Sequence, residues 1–343
     1  MSAWLDVDLD VFAANLARIR ATVAPAAHML VVKDDAYGHG LGPIVRRAAA
    51  EGVDWFGTFD VPTALAVREA GGVGCRILAW TVYDHSDIDR ALDAHIDLGV
   101  GDVFVLDAVA VRARKRGQRA RVHLKIDTGL HRNGIRPEDW TDAIARVQAA
   151  AAHLELVGVW SHIAEASDDD DDAARTVFIA AADEAQAAIG SRPLRHLAAS
   201  AASFARDTFR FDLVRIGAFA YGIRPEGGPS DAELGIRPVA TLRASVTEAR
   251  ADAVVVDVGA LDGLDSRLSG RLRIGTPDGE RLLLSVAATT AIVDGWEGAQ
   301  AGDDVALLGG EAPSTATDAA ELLGTIGEQV VLRISPHVPR RYR

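Results

Sequence analysis

Short runs of apolar residues alternate with longer amphipathic stretches over the first two-thirds of the chain. Eight of the short runs read as strands: His28–Asp34, Asp54–Phe59, Arg76–Trp80, Ile96–Val100, Arg121–Asp127, Leu154–His162, Arg195–Ser200 and Leu213–Gly222. Each is nearly continuous in Val, Ile, Leu and aromatics, as strands covered on both faces are. Between them lie stretches with helical spacing: Leu41–Glu51, Val61–Ala70, Ser86–Ala94, Val105–Arg116, Pro137–Ala151 and Ala173–Gly190. A βα unit repeated eight times predicts an α/β fold with a (β/α)8 TIM-type barrel. A doubly wound open sheet is the rival, but no dinucleotide glycine fingerprint follows any strand. The acidic run Asp168–Asp172 precedes one predicted helix and suits the positive end of its dipole. Consecutive acids do not converge on one ion without a tight loop, so no metal is expected there.

The texture changes after Gly222. Arg224–Pro238 is rich in Gly and Pro. Beyond it the runs are short, β-branched and divided by turns: Thr241–Glu248, Val254–Val258, Arg271–Ile274, Arg281–Ile292, Asp304–Leu308 and Gln329–Ile334. The expected organisation is a barrel over residues 9–223, a linker over 224–236, and a mostly-β domain over 237–343. The strand Ala3–Val7, in residues 1–8, is expected to join that second domain.

The chain has 343 residues and a net charge of -13, which argues against nucleic acid or an anionic membrane as partner. The only cysteine is Cys75, so no internal disulfide or thiolate cluster forms. No apolar stretch approaches a membrane span, and the N-terminal residues do not read as a signal peptide. A cytoplasmic protein is the expectation.

Barrel chemistry gathers at the C-terminal ends of the strands. The first such end is Met29-Leu-Val-Val-Lys33-Asp-Asp-Ala-Tyr37-Gly-His-Gly40. A lysine closing a buried strand suits a Schiff base, because desolvation favours the neutral, nucleophilic amine. The fifth strand ends in His123-Leu-Lys125-Ile-Asp-Thr-Gly-Leu-His-Arg132, the sixth at Ser161-His162, the seventh at Ala199-Ser200, and the eighth in Arg215-Ile-Gly217-Ala218. Taken singly, His162 reads as a strand-end histidine, Ser200 as a helix cap and Arg132 as a surface cation. Their joint placement at one rim makes them a matched set. Ser200, Tyr37 and the Gly217 and Ala218 amides suit a phosphate, His162 a ring, and Arg215 a ring nitrogen.

The segments Leu30–Gly40, His123–Ile135, Gly158–His162, His196–Ala202 and Val214–Gly222 resemble motifs of the alanine racemase family of fold-type III, pyridoxal-phosphate (PLP) dependent enzymes. So do Gly324-Thr-Ile and Ile334-Ser-Pro-His-Val-Pro-Arg-Arg-Tyr342. The resemblance implies an isomerase acting on an amino acid, with PLP held by Lys33. It implies that Arg215 faces the pyridine nitrogen and keeps it unprotonated, since arginine does not release its proton. Arg132 would orient the ring oxygen and the substrate carboxylate. Lys125 falls at a position often carbamylated in the family. A head-to-tail homodimer is implied as well.

Racemisation needs a proton-transfer group on each face of a planar carbanion. Lys33 serves one face. In the family, a tyrosine from the partner's second domain serves the other. The four tyrosines here are Tyr37, Tyr83, Tyr221 and Tyr342, so none lies between 222 and 341. Where the family has a Ser-Tyr-Gly loop, Ala244–Val254 runs almost directly from strand to strand. Family elements also appear altered at Gly259–Gly263, at Ala287–Thr289 and at Glu328, which replaces a tyrosine expected near the phosphate. An acid there is expected to move its loop away. Two-base alanine racemisation is therefore expected to be impaired. The alternatives are one-face PLP chemistry such as decarboxylation, or a PLP-binding protein with little turnover. Asp262, Asp265, His131 and His337 are candidate replacement acids.

Overall fold

The computed structural model describes residues 3–71, 74–250 and 252–343. Sixteen strands occur among them: β1 (Ala3–Val7), β2 (Ala27–Val31), β3 (Trp55–Asp60), β4 (Arg76–Thr81), β5 (Asp97–Val100), β6 (Ala120–Lys125), β7 (Leu154–Trp160), β8 (Leu194–His196), β9 (Leu213–Ile216), β10 (Ala240–Ala249), β11 (Ala253–Val256), β12 (Arg273–Thr276), β13 (Gly279–Val286), β14 (Ala291–Asp294), β15 (Asp304–Gly309) and β16 (Arg340–Tyr342). The chain divides into two compact units. One comprises residues 19–33 and 48–217, the other residues 1–18, 34–47 and 218–343.

The first unit holds the parallel sheet β8-β7-β6-β5-β4-β3-β2-β9. Backbone bonds from Asp212 N to Arg195 O and from Arg215 N to Ala198 O join its two ends, so the eight strands form a closed barrel. Helices Val61–Glu69, His85–Asp93, Val103–Arg116, Trp140–Ala149 and Asp168–Ile189 follow successive strands. Most start where a short polar side chain takes up their free N–H groups. Asp60 accepts from Thr63 N, Asp84 from Asp87 N, Asp102 from Phe104 N, and Ser167 from Asp170 N. The acidic run expected to precede a helix instead forms the first turn of Asp168–Ile189, because Ser167 caps it one residue earlier.

The barrel interior is filled by rings that fit only because glycines face them. A Cβ on Gly57 would lie 2.8 Å from the Trp80 ring and 2.9 Å from Met29. One on Gly99 would lie 2.8 Å from the Trp80 backbone and 3.3 Å from Trp160. Met29, Trp55, Leu78 and Leu213 pack together in the same interior.

The second unit contains the sheet β11-β14-β13-β12-β15-β10-β1-β16, with β11 also paired to β10. β1 joins it as expected, antiparallel to β10, and β16 runs parallel to β1. Several features depart from the reading of the sequence. Gln329–Ile334 is not a strand; Gly327–Leu332 is helical. Arg281–Ile292 is two antiparallel strands, β13 and β14. Helices Leu9–Val23 and Ala316–Leu323 were not anticipated, and the Gly/Pro-rich segment holds a helical turn, Asp231–Leu234, closed by a capping box from Ser230 and Glu233.

Candidate active site

β2 carries its apolar run to Val32, whose N–H donates to Gly57 O, and Lys33 follows at the strand's C-terminal end. From there the backbone makes a left-handed turn: φ is +53 to +54° at Asp34, Asp35, Ala36 and Tyr37. That conformation costs an L-residue roughly 1–2 kcal/mol each, so the surroundings must impose it. Bonds from Gly38 N to Asp34 O and from Gly40 N to Asp35 O close the turn, and the Asp35 carboxylate accepts from Leu41 N at 2.7 Å.

One half-buried imidazole in the barrel lies 3.3 Å from Arg215 Nη2. His162, just beyond β7, is pulled down to about 3 by burial first, then by Arg215, Arg132, Lys125 and Lys33. The four come from the ends of β2, β6 and β9 and the loop after β6. Lys125 is buried over the face of Trp160, with Nζ 4.8 Å from the ring centroid. Burial, then Arg215 and Arg132, lowers its ammonium to about 8, against a smaller opposing effect of Asp127. Arg132 is exposed and makes no hydrogen bond or ion pair among the described residues. Asp127 is occupied by its own loop, accepting from Gly129 N, His131 N and the His131 ring.

Arg215 is buried, and carbonyl oxygens fix it. Nη1 donates to His196 O at 2.9 Å, and Nη2 donates to Ser161 O at 2.7 Å and Leu197 O at 3.0 Å. The nearer ring nitrogens of His196 and His162 each lie 3.3 Å away. Burial draws the guanidinium down to about 9, which leaves it protonated at neutral pH. Its Nε makes no hydrogen bond among the described residues, so one donor remains for a ligand. Ser200 lies beside this strand end, its Oγ accepting from Gly217 N at 3.3 Å. The serine hydroxyl still has a proton to donate.

The family sequence pattern described as "Alanine racemase, N-terminal domain" matches residues 7–225. An alanine racemase of Beutenbergia cavernae is 37% identical over 364 aligned positions, covering 97% of this chain and 96% of its own. One of Thermobifida fusca is 36% identical over 366 positions, covering 98% and 96%. The solved alanine racemase of the D-cycloserine producer Streptomyces lavendulae superposes with a TM-score of 0.93 at 34% identity, covering 100% of this chain and 97% of its own. The chain belongs to the alanine racemase family.

Both alignments run longer than the 343 residues here, so those alanine racemases carry segments without a counterpart in this chain. In the second unit, β10 and β11 pair in register Ala249↔Val254, and the Arg250 N–H donates to Ala253 O. Tyr37 and Ala218, the remaining two residues of the expected cofactor set, belong to this unit. Tyr37 is buried and stacks on Tyr221 with ring centroids 4.8 Å apart. Burial, then the charges of Glu328 and Asp34, raises its phenol above the usual range. Ala218 opens the 3-10 turn Ala218–Tyr221, and its carbonyl accepts from Ile223 N.

Three of the candidate replacement acids are engaged elsewhere, and the side chain of the fourth, His337, is exposed. Asp262 accepts from Gly259 N at 2.8 Å. Asp265 is held far below the usual carboxylate range, chiefly by hydrogen bonding to Arg267. His131 is bound to Asp127, and the backbone N–H of His337 donates to Ser335 Oγ. The sequence reading missed Asp97, His123 and Trp160, and gave His196 no role of its own. The one signal available was parity: His123 lies two residues before Lys125 and so shares its inward face.

Proposed function

We propose that this chain is a PLP-dependent amino-acid enzyme working at Lys33, with ordinary two-base alanine racemisation impaired. The observation that carries the reading is the buried Arg215 guanidinium, held by three carbonyl oxygens 3.3 Å from His162 Nδ1, in a barrel with Lys33 just past the end of β2 and Lys125 at the end of β6. The donor set fits the cofactor. It offers an amine for an aldehyde, an unengaged arginine N–H for a ring nitrogen, and a serine hydroxyl for a phosphate. When bound, PLP would supply the electron sink that acidifies a substrate Cα–H.

The protein's own groups would do the rest. Lys33 Nζ would hold the cofactor and then carry the proton at one face. Arg215, a permanent donor, would leave the ring nitrogen unprotonated, weakening the sink and restraining side reactions. Arg132, exposed and unengaged, suits a substrate carboxylate. Lys125, with an amine lowered to about 8, suits capture of CO2, the nitrogen forming a C–N bond and releasing a proton to give a carbamate anion beside Arg132.

The second-face group is the weak point. No tyrosine lies between 222 and 341, and only three residues of sequence separate Ala249 of β10 from Ala253 of β11. Those two facts favour one-face chemistry, exchange with retention or decarboxylation, as the second reading. A homodimer is part of the proposal. Phe59, Tyr83 and Phe104, 44%, 64% and 80% exposed, lie at or just beyond the C-terminal ends of β3, β4 and β5, an apolar rim that suits a second copy.

The test is proton NMR of PLP-loaded protein in D2O with L- and D-amino acids, followed by chiral analysis. Loss of the Cα proton with retention, or CO2 release, is expected. Rapid inversion of alanine would overturn the impairment. A Lys33→Ala variant that kept the Schiff-base absorbance would overturn the lysine assignment.

A further inference from the structure

A line of buried polar groups crosses the barrel interior from the candidate site to the opposite end. Arg215 Nη1 lies 3.3 Å from His196 Nδ1. His196 Nε2 lies 2.9 Å from His123 Nδ1. His123 Nε2 lies 3.3 Å from Asp97 Oδ2. All three inner residues have no exposure, and β5, β6, β8 and β9 each contribute one member of the line. Asp97 is also bonded by Arg76 and Arg121, each at 2.5 Å.

The two ends dictate every proton between them. An arginine only donates, so His196 Nδ1 must accept, and a neutral His196 then carries its proton on Nε2. That proton is offered to His123 Nδ1, so the His123 proton also sits on Nε2. An ionised Asp97 only accepts, which requires the same His123 tautomer. The requirements from opposite ends agree, and burial keeps both rings neutral. Trp160 stacks on His196 within 2° of parallel, its Nε1 donates to His123 O, and Trp55 meets His123 edge-on, so neither ring is free to turn.

We propose that Asp97 and His123 are positioning residues, which fix the protons of His123 and His196 on Nε2 and so hold Arg215 in one orientation as a pure donor toward the site. A charge pair near the far end of the barrel would thereby set the roll of the guanidinium three residues away. The statement about protons stands on the geometry alone. Its consequence for a ligand rests on the PLP reading above.

The test is long-range 1H–15N NMR of histidine side chains in 15N-labelled protein without added PLP. Wild type should show both rings as the neutral Nε2–H form, unchanged from mildly acid to mildly alkaline pH. His123→Leu removes the acceptor and should leave His196 as mixed tautomers. His123→Asn keeps an acceptor near the Nδ1 position and should restore the single form. Asp97→Ala should mix the tautomers of His123; Arg76 and Arg121, partly exposed, can turn to water, so this variant tests the line if His123→Leu does not fold. In PLP titrations followed by absorbance, His123→Leu should bind on the order of tenfold more weakly, the scale of outer-layer partners, with recovery in His123→Asn. An unchanged His196 spectrum in His123→Leu, or Nδ1–H forms in wild type, would overturn the proposal. Wild-type protein that shows the expected tautomers yet binds no PLP would overturn only the cofactor reading.

Discussion

The His123 ring occupies the space that a side chain on Gly158 would fill. The two residues are paired across β6 and β7, and a Cβ at 158 would lie 2.2 Å from His123 Nδ1. The atom it would strike is the one that faces His196. A glycine in a central strand weakens the strand and adds no contacts; here it admits a ring that links Asp97 to Arg215.

Gly158→Ala should therefore disturb the candidate site without touching a residue at its rim. The ring must move, and overpacking of this kind costs about 1–3 kcal/mol. A lower urea midpoint with an unchanged slope is expected, together with loss of the single His196 tautomer. An alanine accepted with both properties intact would mean that His123 has room that its packing does not reveal.

The barrel was legible because its strands are covered on both faces, which turns them into dense apolar runs such as Met29–Val32 and Leu154–Trp160. Gln329–Ile334 misled for a related reason. A six-residue run with two valines satisfies a strand or a buried helix equally, and only length could have arbitrated. The cation set was legible because Lys33, Lys125 and Arg215 stand at strand ends, where barrels place their chemistry. The Asp97–His123–His196 line was not, because its members come from three strands that register alone brings together. Gly57, Gly99 and Gly158 were the available hint, since a glycine inside an apolar strand marks a close approach.

Acid should destabilise this protein through its buried histidines. Burial is the main cause that lowers His28 and His39 to about 4 and His162 to about 3. Their unfolded values are about 6.5. Between those limits the unfolded chain binds more protons than the folded one, so stability rises with pH and falls as pH drops from about 6.5 toward 4. Urea midpoints at pH 7, 6 and 5 should decline steadily. His28→Gln should make the decline shallower, and an unchanged slope would count against a neutral, buried His28.

Self-association should depend on the exposed aromatics of the barrel. Phe104, 80% exposed, lies in the first turn of the helix after β5, and Tyr83 follows β4. Phe104→Asp places a charge in that patch without entering the core. If a second copy covers the patch, sedimentation should show a dimer in wild type and a shift toward monomer in the variant, with little change in the urea midpoint of the monomer. A wild-type monomer, or a variant as dimeric as wild type, would remove this surface from the interface.

Lys125 offers a pH dependence of the opposite range from the histidines. Its folded value, about 8, lies below the ordinary 10.5. From about pH 8 to 10.5 the unfolded chain keeps a proton that the folded chain has lost, so this residue makes stability rise with pH across that window. Below pH 8 its ammonium is a constant burden. Lys125→Met removes the titration, so the variant should gain most over wild type near pH 7 and less by pH 9.5. The same lowered value governs reactivity, because only the neutral amine attacks CO2. With 13C-bicarbonate, a carbamate carbonyl signal should grow through about pH 8 in wild type and be absent in Lys125→Met. A stability difference that stays flat from pH 7 to 9.5, with no carbamate signal, would mean that the Lys125 amine titrates as an ordinary, solvated lysine.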